Sequence, residues 1–480
     1  MKKILFINPS KWGRGITPIW IASHFSILKE KFDVKLFDCT FFKNWTDNEN
    51  EYNTQNNQYL KTEYSKKIVF SNKDIFNELQ NKIDEYKPDV IFWSALSSHI
   101  HGEGEYVNIQ YGYDLLSKVK TDKILLVTGG LQATASPELI LKQFPKINYL
   151  ISGESEFVLL EIMNNLQNKE KLESIDGLNF NNGGTIKKNK RQNIISDLNE
   201  IPPYDYSLFE DQIFFRPYNG KVLKALDYEL SRGCIYTCSY CVETVIQNYY
   251  DFKETTKRGS LVNAKSYLRS KSAERIYKEL LRYKSNHDIN LVRCQDTNFL
   301  TINKKILLEL EKLLIEKPLN IKLYIETRPE GINNSTIKLL KNIGVDGVGM
   351  GIELSGQEFR ESSLNRFADQ QKIIDAFKLL KDNGIKRTSY NIIGLPNQDE
   401  KSILNTIEFN RLLKPDNITV AFYSPYLGTN EQIKSTNLNY FDDYEIKVDG
   451  QLRSLSKNNL ISLEKLKYYK KNFNNLVMNA

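Results

Sequence analysis

Apolar and polar positions alternate along this chain in two successive series of strand and helix patterns. The first series fills residues 1–165. Short apolar runs such as "KKILFINPS", "DVKLFDCTF", "DVIFWSAL", "KILLVTGG" and "INYLISGE" predict buried strands. Between them lie segments with apolar residues at helical spacing: "TPIWIASHFSILKEKF", "DIFNELQNKIDEYKP", "GYDLLSKVKT", "SPELILKQFP" and "EFVLLEIMNNLQ". The first of these helices is expected to present Ile21, Phe25 and Leu28 to the core, with Thr17 as its cap. Strands alternating with helices imply a doubly wound, Rossmann-like parallel sheet, whose ligands bind at the carboxyl ends of the strands. Those ends carry "NPSKWG", "SALSSH", "TGGLQAT" and "SGESE". A polar stretch, Asn44 to Lys67, reads as an exposed insertion.

Residues 166–222 break the rhythm. "GLNFNNGGTIKKN" predicts a hairpin turning at Asn182–Gly183, and Pro202 and Pro203 block helix in the segment after it. From 223 to 430 the alternation resumes. Strands are expected in "VLKALDYELSRGC", "INLVRCQDTNF", "IKLYIETRPE", "GVGMGIEL", "TSYNIIGLP" and "NITVAFYSPYLGT", with a helix after each of the first five. One of these helices is expected to be capped by Asn334 or Ser335. Six such strands predict a partial (β/α)6 barrel, active at its carboxyl strand ends. Residues 431–480 are polar and read as a short helical tail.

Composition narrows the class. Hydrophobic residues make up 40% and charged residues 26%, as in globular proteins, and no apolar run approaches the roughly 20 residues that span a bilayer. The net charge of +7 is mild for 480 residues and is not gathered into a block, so nucleic acid is not the expected partner. Five cysteines and the absence of a secretory pattern in "MKKILFINPS" point to a reducing, cytoplasmic setting.

Three of those five cysteines, Cys234, Cys238 and Cys241, fall within "SRGCIYTCSYC". A disulfide suits an oxidising compartment, and structural zinc wants four ligands, usually as two pairs, whereas the nearest downstream histidine is His287. An iron–sulfur cluster fits better. A cubane normally takes four thiolates, and three leave one iron open for a ligand. Cys294 reads as a buried strand cysteine.

The CxxxCxxC spacing at the end of a strand resembles the cluster motif of the radical S-adenosylmethionine (SAM) superfamily. The resemblance implies a [4Fe-4S] cluster whose open iron chelates SAM and whose electron yields a 5′-deoxyadenosyl radical. It implies SAM contacts from Tyr240 beside the adenine, from Asp296 and Asn298 in "QDTNF", from Glu353 in "GIE", and from "NIIGLP", where Ile392, Ile393 and Gly394 would flank the adenine. Arg328 is expected to pair with the SAM carboxylate. The chain departs from the family in reading Asn397-Gln398-Asp399-Glu400 where a glutamate often follows that last motif.

The first series resembles the cobalamin-binding domain that precedes the radical SAM core in one large subfamily, through "ILFINP", "KPDVIFWSAL", Gly129–Gly130 and "YLISGESEFVLLEIM". This implies cobalamin contacts from Asn8, Pro9, Ser94, Ser97, Gly129, Gly130, Gly153 and Glu154. It departs from DxHxxG, because "NPSKWGRGI" has no histidine to bind cobalt from below; His24, His99 and His101 lie elsewhere, and an isolated histidine is expected to be a polar surface residue. The resemblance implies a cobalamin-dependent radical SAM enzyme that methylates an unactivated carbon of a small molecule, served by an electron donor such as flavodoxin or ferredoxin. Two rivals stand beside it: a non-methylating rearrangement or cyclisation on the same architecture, and a non-enzymatic cluster- or cofactor-binding module. Methylthiolation would call for a second cysteine cluster, which the chain lacks.

Overall fold

The computed structural model describes residues 1–11, 16–46, 60–95, 109–423, 426–437 and 460–479. The chain divides into two compact units, the first formed by Met1–Glu49, Glu63–Arg216 and Val245–Asp251, the second by Asn50–Thr62, Pro217–Thr244 and Phe252–Ala480.

The first unit is built on β1 (Lys3–Asn8), β2 (Asp33–Asp38), β3 (Val90–Trp93), β4 (Leu125–Thr128) and β5 (Tyr149–Ile151). They lie in the order β2-β1-β3-β4-β5, all parallel. This is a doubly wound order whose direction reverses between β1 and β3, the place where such sheets bind ligands. The hairpin read as part of a connection extends this sheet instead. β6 (Leu178–Asn182) pairs antiparallel with β5, and β7 (Thr185–Lys188) with β6. Its two-residue turn is Gly183–Gly184, one residue later than expected, because both turn positions have positive φ (61° and 93°), which glycine takes without strain.

The first helix, Ile19–Leu28, differs from its sequence reading. Ile19 to His24 are all buried, so the helix has no solvated face there, while Phe25 is only half-buried. Pro18 sits at the cap with no side-chain bond, and the Thr17 hydroxyl instead accepts from Arg216 Nη2 at 3.1 Å. His24 is no surface residue: it is 0% exposed, with Nδ1 2.6 Å from Trp20 O and Nε2 2.9 Å from Ser155 Oγ. An imidazole is retained there because both ring nitrogens are satisfied. Within the stretch read as an exposed insertion, Tyr64 is buried, and residues 47–59 lie outside the described residues.

The second unit carries β8 (Phe215–Tyr218), β9 (Lys221–Tyr228), β12 (Leu291–Cys294), β13 (Lys322–Glu326), β14 (Val345–Glu353), β15 (Lys386–Ile393) and β16 (Asn417–Phe422). A separate two-stranded ribbon pairs β10 (Ser231–Arg232) with β11 (Arg269–Ser270). The large sheet runs β16-β15-β14-β13-β12-β9-β8, and the six strands from β9 to β16 are parallel and in sequence order. This is the expected open (β/α)6 barrel. Its helices are capped by side chains that satisfy first-turn amides: Ser272, Asn303, Asp369 and Asp399. The helix Asn334–Asn342 is capped by Asn333, one residue before the expected pair, in a capping box with Thr336. The tail has a definite role. In the helix Leu463–Met478, Leu466, Tyr469 and Phe473 join Ile393, Ile403, Ile407, Ile418, Val420 and Phe422 in one core cluster, which covers the last two strands.

Candidate active site

The cysteine loop follows the carboxyl end of β9, held at its base by the β10–β11 ribbon. Gly233, just before Cys234, has φ +99°, and a Cβ there would lie 2.6 Å from Tyr267 O, so only glycine lets the chain enter the loop. Beyond it the backbone is tied down on several sides. Thr237 N donates to Gly259 O (3.0 Å), Ser239 N to Leu364 O (3.0 Å), and Asn365 Nδ2 to Thr237 O (2.8 Å). Ser239 Oγ donates to Glu431 Oε2 at 3.0 Å.

All three cysteines are free thiols, Cys234 and Cys238 buried and Cys241 half-buried. Burial pushes the Cys234 and Cys241 thiols up, so the metal-free loop is protonated there and metal binding must displace protons. No three His, Cys, Asp or Glu side chains among the described residues converge as ligands of one ion. Three thiols on one fixed loop, with no fourth cysteine or histidine nearby in the sequence, suit a cubane in which each thiolate takes a different iron.

Charged groups surround this loop. Arg328 Nη1 is 3.7 Å from Cys238 Sγ, and its guanidinium lies over the Tyr236 ring at 3.7 Å from the centroid. Nε of Arg328 donates to Glu330 Oε1 at 3.0 Å. Tyr240 OH donates to Glu353 Oε1 at 2.7 Å. Sequence reasoning missed Arg366, which joins these groups: Nη1 is 4.0 Å from Cys238 Sγ and 3.5 Å from Tyr240 OH, and Nε is 3.6 Å from Glu353 Oε1. Arg366 lies in "LNRFADQ", outside any strand or helix, where neither period nor motif marks it. Glu353 adopts φ +62°, an uncommon conformation for a side-chain-bearing residue. Its carboxylate occupies the space left by Gly351, whose Cβ would lie 2.2 Å from Glu353 Oε1.

Four expected SAM contacts are engaged within the protein itself. Asp296 is buried beneath the loop, accepting from Leu230 N (3.2 Å) and Ser231 Oγ, and burial pushes its carboxyl up to about 7. Asn298 Oδ1 accepts from Thr327 Oγ1 at 2.7 Å and Arg328 N at 3.4 Å, so it positions the arginine. Ile393 points away from Tyr240 into the helix-covered core; Ile392 packs in the cluster that includes Tyr240, because successive strand residues face opposite sides. Gly394 N donates to the buried Gln398 Oε1 at 2.7 Å.

In the first unit, the segments leaving β1, β3 and β4 interlock. Asn8 is wholly buried at the end of β1, donating to Asp38 Oδ1 at 3.0 Å, and burial raises the Asp38 carboxyl to about 6. Pro9 O accepts from Trp45 Nε1 at 3.2 Å. Gly129 N donates to Ser94 O at 2.9 Å, and Ser94 itself has φ +59°. Gly130 has φ +103°, with Ser94 Oγ only 3.0 Å from where its Cβ would be. Among the described residues, the buried amide oxygens Asn8 Oδ1, Gln110 Oε1 and Gln132 Oε1 find no donor. Acceptors without donors, beside backbone bare of side chains, fit a ligand fringed with amide N–H groups, as cobalamin is. Gly153 and Glu154 are held by neighbours of their own. A Cβ at Gly153 would lie 2.6 Å from both Tyr249 Cε1 and Tyr250 OH, while Glu154 N donates to Tyr250 OH (2.8 Å) and Glu154 Oε2 accepts from Ile195 N (2.9 Å). Ser97, His99 and His101 lie outside the described residues.

Residues 228–409 match the family model of the Radical SAM superfamily. The chain is 25% identical over 354 residues to an uncharacterized methyltransferase of Pyrococcus horikoshii, covering 74% of this chain and 71% of that protein. It is 24% identical to an anaerobic magnesium-protoporphyrin IX monomethyl ester cyclase of Rubrivivax gelatinosus, covering 73% of this chain and 59% of the cyclase. Among solved structures, the radical SAM methyltransferase TsrM of Kitasatospora setae, with tryptophan substrate and a SAM analogue, superposes with TM-score 0.66 at 15% identity, over 98% of this chain and 83% of that one. The cobalamin-dependent radical enzyme OxsB, with aqua-cobalamin and SAM, gives TM-score 0.65 at 14% identity, over 96% of this chain and 64% of that one. Residues 228–409 carry a radical SAM domain, and the chain has the fold of the cobalamin-dependent radical SAM enzymes it superposes on.

Proposed function

We propose that this radical SAM enzyme uses cobalamin and methylates an unactivated carbon of a small molecule. The observation that carries the reading is the convergence of Arg328, Arg366, Glu353 and Tyr240 on the Cys238 side of a fixed three-cysteine loop. Cys234, Cys238 and Cys241 would hold a [4Fe-4S] cluster, and the two guanidiniums would balance the thiolates and the SAM carboxylate. Glu353 and Tyr240 offer a paired acceptor and aromatic surface for the ribose and adenine, with Ile392 beside them. In the first unit, Asn8, Pro9, Ser94, Gly129 and Gly130 would hold cobalamin at the sheet's switch point. When bound, the cluster and SAM supply a 5′-deoxyadenosyl radical, and cobalamin supplies the methyl group. We assign residues 1–165, with the hairpin β6–β7 that extends their sheet, to cobalamin, the rest of 166–222 to a connection, 223–430 to the radical core and 431–480 to an extension that completes its packing.

A reductant is required, and a flavodoxin or ferredoxin suits it. No helix among the described residues is long and apolar enough to cross a membrane, and we place the protein in the cytoplasm. A non-methylating ring closure is the second reading, favoured by the cyclase named among the relatives. Anaerobic reconstitution tests both. The chain should bind cobalamin and release 5′-deoxyadenosine from SAM on reduction. Labelled methyl from SAM appearing in a product supports methylation; 5′-deoxyadenosine with no labelled product favours cyclisation. Absence of 5′-deoxyadenosine overturns both.

A further inference from the structure

Below the cysteine loop, the inward positions of the barrel carry a polar wall that the SAM site does not use. Strand alternation and register set Asp227, Arg293 and Tyr324 in one layer, since Arg293 is paired with both Asp227 and Tyr324. Glu326 stands one layer nearer the loop on β13, opposite Gly349, and Tyr390 opposite Gly351. Tyr390 OH donates to Glu326 Oε1 at 2.9 Å and lies 2.8 Å from Tyr324 OH. Gly349 makes room for these rings: its Cβ would lie 2.6 Å from Tyr390 OH and 2.7 Å from Tyr324 OH. The floor is apolar, formed by Ala225, Leu291 and Tyr324 with Tyr218 and Leu223.

Arg293 is the unusual member. Its guanidinium lies 5.5 Å from the Tyr324 centroid, but among the described residues it makes no hydrogen bond and no ion pair closer than 4 Å. Arg293, Glu326 and Tyr390 are each only partly buried, so the wall is open to a ligand. A structural arginine behaves differently. Arg360 in the same unit is fully buried and donates to Leu354 O, Ala368 O and Gln370 Oε1. Arg293 retains five donors in a fork that matches a carboxylate. Its surroundings restrict what brings that carboxylate. Asp227 and Glu326 already supply two negative charges near it. A ligand that is only anionic would add a third, and one that is only cationic would leave the fork unfilled. A molecule carrying both charges on neighbouring atoms satisfies both walls.

We propose that Arg293 and Glu326 anchor the substrate, Arg293 by its carboxylate and Glu326 by its ammonium, so that the substrate class is a free α-amino acid. This rests on the barrel being the substrate chamber of the reaction proposed above. From the layer of Tyr324 to Arg328 is four residues, or about 13 Å of strand. An amino acid held charged end down therefore directs its side chain toward the loop, and the reacting carbon is a side-chain carbon. Arg293 and Glu326 are binding residues that set specificity.

The test is equilibrium dialysis of the anaerobically reconstituted full chain, without SAM, against an equimolar mixture of the common L-amino acids, read by mass spectrometry. At least one should be retained, and its carboxamide and its N-acetyl derivative should not. Arg293→Gln and Glu326→Gln should each lower retention by about tenfold or more, the usual effect of losing a charged hydrogen bond. The carboxamide and N-acetyl arms use the unaltered protein, so they stand if a variant misfolds. No retained amino acid, or equal retention of acid and carboxamide, overturns the proposal. The same unaltered preparation is assayed for 5′-deoxyadenosine with SAM and reductant. Radical cleavage without retention would remove the anchor and leave the enzyme reading intact. Acid-selective retention without cleavage would do the reverse.

Discussion

The strand ends of the two units handle polarity in opposite ways. In the first, the groups at the ends of β1, β3 and β4 are amides, hydroxyls and bare backbone, with the single carboxylate of Asp38 bonded to Asn8, and among the described residues the amide oxygens of Asn8, Gln110 and Gln132 are left over. In the second, the strand ends hold ions: Arg328, Arg366, Glu330 and Glu353 crowd around Cys238. A surface of neutral acceptors and glycine suits a large ligand that meets the protein along its periphery. A nest of buried ions suits a small zwitterion, each charge of which needs an opposite partner, because an unpaired buried charge is costly. The contrast indicates that the two sites are built to recognise ligands of different size and charge.

The largest expected effect separates the units outright. Changing Cys234, Cys238 and Cys241 together to Ala should abolish the brown absorbance near ~400 nm and all SAM cleavage, while cobalamin retention by the first unit persists. Cys39→Ala and Cys294→Ala, both buried away from the loop, should keep the cluster. Iron retained by the triple variant would break the assignment.

The converse change is Gly130→Leu. At φ +103° with Ser94 Oγ 3.0 Å from the new Cβ, a branched side chain both strains the backbone and fills the bare surface. Cobalamin retention on a desalting column should be lost, with 5′-deoxyadenosine formation preserved. If cobalamin stays bound, the first unit's strand ends are not its site.

Arg366→Met asks whether the ionic nest is a SAM site or only packing. Removing one partner of the buried Arg366–Glu353 pair should lower the unfolding free energy by roughly 3–5 kcal/mol. It should also weaken SAM by ~1–3 kcal/mol, about ten- to a hundredfold, with the cluster spectrum unchanged. Stability lost without any change in SAM affinity would reduce Arg366 to a structural role.

The smallest effect is a pH slope. Burial raises Asp296 to about 7 in the folded chain, above its ordinary value near 4, so the folded state binds more protons between those limits. Its contribution to stability is complete below about pH 4 and declines as pH rises to 7. Asp296→Asn should flatten that part of the thermal-midpoint profile of the metal-free chain. The raised group in the first unit, Asp38, should give a similar but shallower slope, because its shift is smaller.

The strand–helix alternation was legible because period determines which face of an element is apolar, and the parallel order then follows from short crossovers. The three cysteines were legible because their spacing is local. Glu353 and Tyr240 were found as separate motif positions, but nothing in the sequence showed that they bond to each other or that Arg366 joins them. Arg366 is 128 residues from Cys238 and sits in an irregular segment, where no periodicity records a neighbour. Which of two adjacent residues faces a site was also hidden: Ile393 and Ile392 are equally apolar, and only the pleat of β15 directs one to the helices and the other toward Tyr240. Gly153 and Glu154 carried the strongest local likeness, yet their amides donate to Thr134 Oγ1 and to Tyr250 OH, the latter 96 residues after Glu154. The sequence by itself determined the elements, their alternation and the cysteine loop, because these depend on the order of side chains along a few turns of chain. Tertiary structure alone decided which charges are paired, which polar atoms remain open and which strand face meets the lumen, because those depend on distances between residues that the chain brings together only when it folds.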